Sequence, residues 1–273
     1  MIKGGVLSPN TIRGYNNIKE SHIDGGIGDI PLVDIKQPIV QHWITSLVQK
    51  GLAPKTVKNC FGLLQSAIKM YNPTIEMDIQ LPMDARKIVK SPSDDDVKRI
   101  IEAIKTKGDR TLLISVYLGA FGMMREAEIC ALESYDIRGN KVSINKALAL
   151  TKDNEWVVKL PKTISSIRDV EVPQFVVDEM KGIEGRIVPL TPTALYNRYR
   201  KVISKLGMHY TFHQLRHYSC SVLHAIGISD LALTRMGGWS TDFTMKKVYR
   251  NIIDDEQKRQ TKMITDHFEK VGG

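Results

Sequence analysis

Thr211-Phe212-His213-Gln214-Leu215-Arg216-His217, then Met236-Gly237-Gly238-Trp239-Ser240, then Tyr249 within Lys246-Lys247-Val248-Tyr249-Arg250-Asn251, is the stretch on which the reading of this chain turns. It gathers a histidine, an arginine, an indole donor and a phenol near the end of one basic chain. His213 and Arg216 stand three apart, which puts both polar groups on one face of a helix while Leu215 and Tyr218 can turn to a core. His209, His213 and His217 repeat every four residues, as in a helical metal site. No acidic or cysteine ligand lies beside them and Arg216 shares the turn, so no metal is expected. His217 reads as a structural, hydrogen-bonding histidine. Gly237-Gly238-Trp239-Ser240 reads as a helix-ending turn with a packed tryptophan, and because an indole nitrogen only donates, contact with an anion is compatible with that packing.

Upstream, Arg125-Glu126-Ala127-Glu128-Ile129-Cys130-Ala131-Leu132 has the spacing of an amphipathic helix with Ile129 and Leu132 turned inward. Arg125 supplies a second guanidinium, a group that contacts two phosphate oxygens at once and stays charged at any working pH. Glu128, three residues on, shares its face and can orient a neighbouring basic group. In isolation such a pair would be an ordinary surface ion pair. Four lysines, Lys146, Lys152, Lys159 and Lys162, fall in a strand-like region. A phenol nucleophile, fixed cations and donors, and a proton source are what cleavage of a phosphodiester needs when no metal or ATP takes part. No Walker motif, His-Glu-x-x-His pair or carboxylate cluster with metal spacing is visible, so no cofactor is expected.

The rest of the chain is consistent with a nucleic-acid partner. Among 273 residues, 39 Lys and Arg face 30 Asp and Glu, a net charge of +9, which favours a polyanion, DNA before an acidic membrane. Cys60, Cys130 and Cys220 are odd in number, far apart and set among apolar residues, fitting neither a disulfide framework nor a zinc site, and a reducing cytoplasm is expected. There is no run of about 18 apolar residues and no signal-peptide pattern, so no membrane role is expected.

Helical spacing begins at Ser8-Pro9, resumes after Asp34 with Ile39, Trp43, Leu47 and Val48 inward, and stops at Gly51. A third helix from Pro54 buries Val57, Phe61, Leu64, Ile68 and Tyr71, and its other face carries Lys55, Lys58 and Lys69. These lysines would form a plain solvated face in isolation; beside a DNA-cleaving module they are expected to touch phosphates. Residues 1–75 are read as a helical domain, 76–92, with their prolines, as an interdomain linker, and 93–273 as a second domain that opens on a helix capped at Ser93. In that domain Val142–Ile144, Trp156–Leu160 and Arg168–Val172 predict a three-stranded sheet. The fold class is mostly α with a small β-sheet, a helical domain followed by a mixed α/β domain.

In this order and with these intervals, the set resembles the tyrosine recombinase (phage integrase) family. Phe212-His213-Gln214-Leu215-Arg216-His217 and Pro161-Lys162-Thr163 resemble integrases of phages and mobile elements of Gram-positive bacteria. The resemblance implies a core-type DNA-binding domain followed by a catalytic domain, and it assigns roles. Tyr249, alone of nine tyrosines at the family's distance downstream of His-x-x-Arg, would be the nucleophile; Arg125, His213, Arg216 and Trp239 would be catalytic, and Glu128 a buttress. Lys162-Thr163-Ile164-Ser165-Ser166-Ile167-Arg168 resembles the family's Lys-Thr-x-x-Ser-x-Arg, making Lys162 the catalytic lysine and Arg168 a DNA-contacting residue. The family's glycine two residues before the first arginine is Met123 here, with Gly122 one position earlier.

The implied activity is site-specific DNA recombination through a 3′-phosphotyrosine, without cofactor. The implied partners are double-stranded DNA attachment sites, a homotetramer on synapsed DNA, and accessory DNA-bending proteins or a directionality factor. An amphipathic segment, Ile252–Phe268, with Ile252, Ile253, Met263, Ile264 and Phe268 as its apolar positions, would form a helix and dock on a neighbouring protomer. Nothing before Ser8 could form the extra arm-binding domain of many such integrases, as expected of a shortened or arm-less member. A type IB topoisomerase would use the same chemistry to rejoin the same strand. A non-catalytic DNA-binding regulator would explain charge and helices but leave six polar residues as coincidence.

Overall fold

The computed structural model describes residues 7–84, 91–161, 166–241, 265 and 268–269. Lys162 and Tyr249 lie outside the described residues, as does the Ile252–Phe268 segment apart from Thr265 and Phe268. Two compact units are present, residues 1–87 with 150–155, and residues 88–149 with 156–273.

The first unit is helical: α1 (Pro9–Ile18), α2 (Gln37–Gln49) and α3 (Pro54–Tyr71). Ser8 caps α1, its hydroxyl accepting from the Thr11 amide, and Pro9 fills the first turn where no amide is needed. Val40, Trp43, Ile44 and Leu47 of α2 meet Val57, Phe61, Leu64 and Ile68 of α3. Two expected core positions are outside: Val48 is exposed, and so is Tyr71, the last residue of its helix. Val48 sits one step off the buried stripe, and Tyr71, in phase with Leu64 and Ile68, lies at the helix end. Met77, Ile79 and Leu81, within the stretch read as linker, pack against this core, and the Gln80 amide donates to Gln41 Oε1 at 2.9 Å.

The second unit begins with α4 (Asp94–Thr106), fixed by a reciprocal capping box: Ser93 Oγ accepts from the Asp96 amide and Asp96 Oδ2 accepts from the Ser93 amide. The next helix, α5 (Arg110–Phe121), is buried on every side from Leu112 to Ala120, as a helix at the centre of a core must be. Short α6 (Glu126–Ile129) follows, then β1 (Ile137–Arg138), β2 (Lys141–Ile144), β3 (Ala147–Leu150), β4 (Trp156–Lys159), β5 (Arg168–Glu171), α7 (Gln174–Met180), α8 (Pro192–Lys205), α9 (His213–Ala225) and α10 (Asp230–Gly237).

The sheet differs from expectation. β1, β2 and β5 form an antiparallel three-stranded sheet in which Val142 faces Val170 and Ile144 faces Arg168. The Trp156 strand is not its third member; β4 pairs with β3. Alternation identifies a strand but not its partner, and here a tight turn decides: Asn154 adopts a left-handed φ of 62° and the Thr151 amide donates to the Glu155 carbonyl at 2.8 Å. The helix expected from Arg125 to Leu132 is also shorter. Arg125 is its extended N-cap, the α-helix ends at Ile129, and Leu132 is buried beyond it.

α9 packs closely on α5. A Cβ on Gly119 would lie 3.1 Å from the Phe212 ring, so glycine lets the helix bearing His213 and Arg216 approach the central helix. Cys60, Cys130 and Cys220 are buried free thiols. Among the described residues, no helix is long and apolar enough to cross a membrane.

Candidate active site

Between the end of α5 and the start of α6, the chain turns through Met123, fully buried at a φ of 52°. A left-handed φ in a long side chain costs on the order of 1–3 kcal/mol and persists only where surroundings fix it. Here the departure from the family's glycine becomes intelligible. The Met123 side chain packs with Cys220, Leu233 and Trp239, while its carbonyl accepts from Arg216 Nη1 and, at 3.4 Å, from Arg168 Nη2.

Next in the chain, Arg125 and Glu128 form the capping pair of α6. The Arg125 amide donates to Glu128 Oε2 at 2.9 Å, and Arg125 Nη1 donates to Oε1 at 2.6 Å. The Arg125 side chain is one-third exposed, and its Nη2 donates to the Gly238 carbonyl at 3.4 Å. Burial would raise the Glu128 carboxyl, but hydrogen bonding and charge from Arg168, then the charge of Arg125, outweigh it and hold the group at about 2.

Arg168 lies inward in this structure. It was expected to contact DNA, yet only 8% of its surface is exposed. Its Nε donates to the Met236 carbonyl at 2.7 Å, Nη1 to Glu128 Oε1 at 3.1 Å and Nη2 to Glu128 Oε2 at 2.9 Å. With its donors turned inward, Arg168 braces Glu128. The alternation of β5, buried at Arg168 and Val170 and exposed at Asp169 and Glu171, was the signal in the sequence: an arginine in phase with core valines is buried.

His213 and Arg216 come from the first turn of α9. Arg216 is 1% exposed. Its Nη2 donates to the Gly237 carbonyl at the end of α10, and its guanidinium carbon lies 4.3 Å from the Trp239 ring centroid, a cation–π contact. Arg216 Nε is buried without an acceptor among the described residues. Burial, then the charges of Arg125 and Arg168, push its titration down from the ordinary arginine value; a guanidinium nonetheless stays charged at neutral pH. The site therefore holds three guanidiniums, Arg125, Arg168 and Arg216, around the Glu128 carboxylate, with the Arg168 charge matched by Glu128. The excess positive charge suits an anion.

The His213 imidazole is half exposed. Burial, then Arg216 and Arg125, lower its pKa, which favours the neutral ring. His217 packs edge-on against it with centroids 4.9 Å apart and is itself pushed down to about 4 by burial, then by His213 and Arg216. Glu126, which the sequence did not single out, brings Oε2 to 4.0 Å from His213 Nδ1.

Trp239 is buried against Met123, Cys220 and Leu233. Two glycines permit this. A Cβ on Gly237 would lie 2.3 Å from the Trp239 ring, and Gly238, left-handed at φ 59°, would bring one within 2.9 Å of Arg168 Nη1. Arg125, Glu128, His213, Arg216 and Trp239 thus meet in the second unit. Lys55, Lys58 and Lys69 lie in the first; Lys55 and Lys69 are exposed, and Lys58 Nζ pairs with Asp84 at 2.8 Å. Of the other lysines weighed, Lys146 is held by Glu133 and Asp136 at 2.9 and 2.8 Å.

Residues 92–256 match the phage integrase family. The chain is 23% identical to a tyrosine recombinase XerC-like protein of Caldanaerobacter subterraneus, over 93% of this chain and 75% of that protein. It is 22% identical to tyrosine recombinase XerA of Thermococcus onnurineus, over 93% of this chain and 89% of that protein. Its fold is shared with the Tn1549 transposon integrase in complex with a circular intermediate DNA, at a TM-score of 0.80 and 17% identity over 94% of this chain and 96% of the other. It is shared too with a lambda integrase dimer bound to a core site, at a TM-score of 0.67 and 17% identity over 90% and 73%. The chain belongs to the phage integrase family, and it is a tyrosine-type site-specific DNA recombinase.

Proposed function

We propose that the chain cuts and rejoins duplex DNA at attachment sites with Tyr249 as nucleophile, Arg125 and Arg216 as the cations on the phosphate, His213 as base and Lys162 as acid. The Tyr249 oxygen attacks the scissile phosphorus, its proton passes to His213, the bond from phosphorus to the 5′-oxygen breaks, and Lys162 gives that oxygen a proton. A 3′-phosphotyrosine and a free 5′-hydroxyl result. The 5′-hydroxyl of a partner strand then reverses the reaction, so the covalent bond conserves the energy and no nucleotide is consumed. Charge on the non-bridging oxygens grows in the transition state, where preorganised guanidiniums act most strongly.

The observation that supports this most directly is the convergence of Arg125, Arg216 and His213, with Arg125 braced by Glu128 and Arg216 by the backbone carbonyls of Met123 and Gly237. A solved lambda integrase tetramer is bound to a Holliday junction; by analogy, four copies of this chain would assemble on two synapsed sites, with DNA-bending or directionality proteins selecting the outcome. Lys55, Lys58 and Lys69 would touch the phosphate backbone, and the cytoplasm is the compartment where such a substrate is met.

Incubation with attachment-site DNA tests the reading. Wild type is expected to give an SDS-stable protein–DNA adduct, and Tyr249→Phe is expected to give none while binding DNA almost as well. An adduct that persists in Tyr249→Phe overturns the nucleophile assignment. Strand exchange between two sites separates recombination from simple relaxation of supercoils.

A further inference from the structure

We propose that Glu126 is the acidic partner of His213, drawing the ring proton to Nδ1 and leaving Nε2 as the acceptor for the Tyr249 proton. This rests on the recombinase reading for the identity of His213 as base. The juxtaposition itself is geometric. Glu126 is the first residue of α6 and His213 the first of α9, and Glu126 Oε2 stands 4.0 Å from His213 Nδ1. That is beyond a hydrogen bond, but catalytic contacts in proteins without substrate are often long and tighten on binding.

Only one ring nitrogen of a neutral imidazole carries a proton, and which one is set by the partner of the other. His217, packed edge-on against the ring at 4.9 Å, limits its rotation. The charges around the pair come from several elements. Arg125 and Arg216 lower the His213 pKa and Glu128 raises it; Arg216 lowers the Glu126 pKa, Glu128 raises it, and burial raises it most. Tyr199 of α8 is buried nearby, its hydroxyl without a hydrogen-bond partner among the described residues, and is pushed up first by burial and also by Glu126. Among the described residues, Glu126 is the carboxylate paired with His213 Nδ1, while Glu128 is committed to Arg125 and Arg168.

A carboxylate beside His213 favours the imidazolium that forms as the base takes a proton, and Glu126 would add to the offset that Glu128 supplies against burial and the two guanidiniums. Without it, the ring would be a weaker base and would sample both tautomers. Glu126 is a positioning residue in this scheme and touches no reacting atom.

Two measurements test it. In long-range proton–nitrogen NMR spectra of full-length protein with labelled histidine, His213 is expected to be protonated at Nδ1 in wild type and to shift toward a mixture in Glu126→Ala, with Glu126→Gln in between. In single-turnover cleavage, Glu126→Ala should be slower by about tenfold, a part of the roughly 10²–10⁴ that a general base supplies, with DNA affinity unchanged. The acid limb of its pH–rate profile should move to lower pH, because loss of a nearby negative charge lowers the His213 pKa. An unchanged tautomer together with an unmoved acid limb overturns the proposal. Absence of any adduct in wild type overturns the recombinase reading instead, and the NMR result stands apart from it.

Discussion

Arg168 meets Glu128 with both forks engaged, Nη1 on Oε1 at 3.1 Å and Nη2 on Oε2 at 2.9 Å, and the same carboxylate holds Arg125 through Oε1 at 2.6 Å. One carboxylate therefore fixes two guanidiniums, one buried and one facing outward. Because the pair is buried, removing one partner leaves an uncompensated charge, and Arg168→Ala should destabilise the fold by about 3–5 kcal/mol. Urea unfolding measures this. If stability holds and the salt dependence of DNA binding falls instead, Arg168 contacts DNA and its bracing role is wrong.

Glu128 also gives a pH dependence with a definite sign. Its carboxyl is held at about 2 in the folded chain against an ordinary value of 4.5. A lowered carboxylate stabilises the fold fully above its unfolded value and loses that contribution as pH falls through the folded one. Between roughly pH 4.5 and 2, wild type should lose on the order of 3 kcal/mol that Glu128→Gln, already weaker at neutral pH, does not lose. Parallel stability curves for the two proteins across that window would contradict it.

Gly237 is expected to tolerate no side chain. A Cβ there falls 2.3 Å from the Trp239 ring, which packs beneath Arg216 at 4.3 Å. Gly237→Ala should therefore cost about 1–3 kcal/mol of overpacking, shift tryptophan emission, and slow cleavage more than it weakens DNA binding, since Arg216 loses its support. Thermal melting, fluorescence and adduct formation test the three parts separately.

The residues that meet at this site were more legible than their partnerships. Residue identity and spacing mark Arg125, Glu128, His213, Arg216 and Trp239 because each sits in a local pattern, and α9 starting at His213 sets two of them in one turn. Capping at Ser8 and Ser93 was readable for the same reason. Partnerships across the chain were not. Nothing local links Glu126 to His213, the Trp156 strand to β3, or the Met123 carbonyl to Arg168 and Arg216. Arg168 is the intermediate case: its phase on β5 announced burial, but the family-like Lys-Thr-x-x-Ser-x-Arg pattern drew the reading toward DNA.

Lys55 and Lys58 test whether the first unit touches phosphates. Lysines that neutralise phosphates release condensed counterions, and each contact contributes about −0.9 to the slope of log affinity against log salt. The double variant Lys55→Ala with Lys58→Ala should bind attachment-site DNA more weakly and flatten that slope. Lys58, already paired with Asp84, is expected to contribute less than Lys55. Equal slopes for variant and wild type would remove this face of α3 from the interface.

Lys162 carries the most discriminating test. If it is the acid that protonates the departing 5′-oxygen, it should be worth roughly 10²–10⁴ in cleavage rate, the usual range for general acid catalysis. A substrate with sulfur at the bridging position has a leaving group that needs no proton. Lys162→Ala should recover most of its rate on that substrate. Arg216→Ala should not if this guanidinium, buried against Trp239 and held by the Met123 and Gly237 carbonyls, has the proposed role on the non-bridging oxygens, where sulfur at the bridging position changes little. Single-turnover cleavage of matched oxygen and sulfur substrates by both variants measures the difference. Equal failure of Lys162→Ala on the two would move the acid to another group, and Lys152 or Lys159 would be next, since Lys146 is already tied to Glu133 and Asp136.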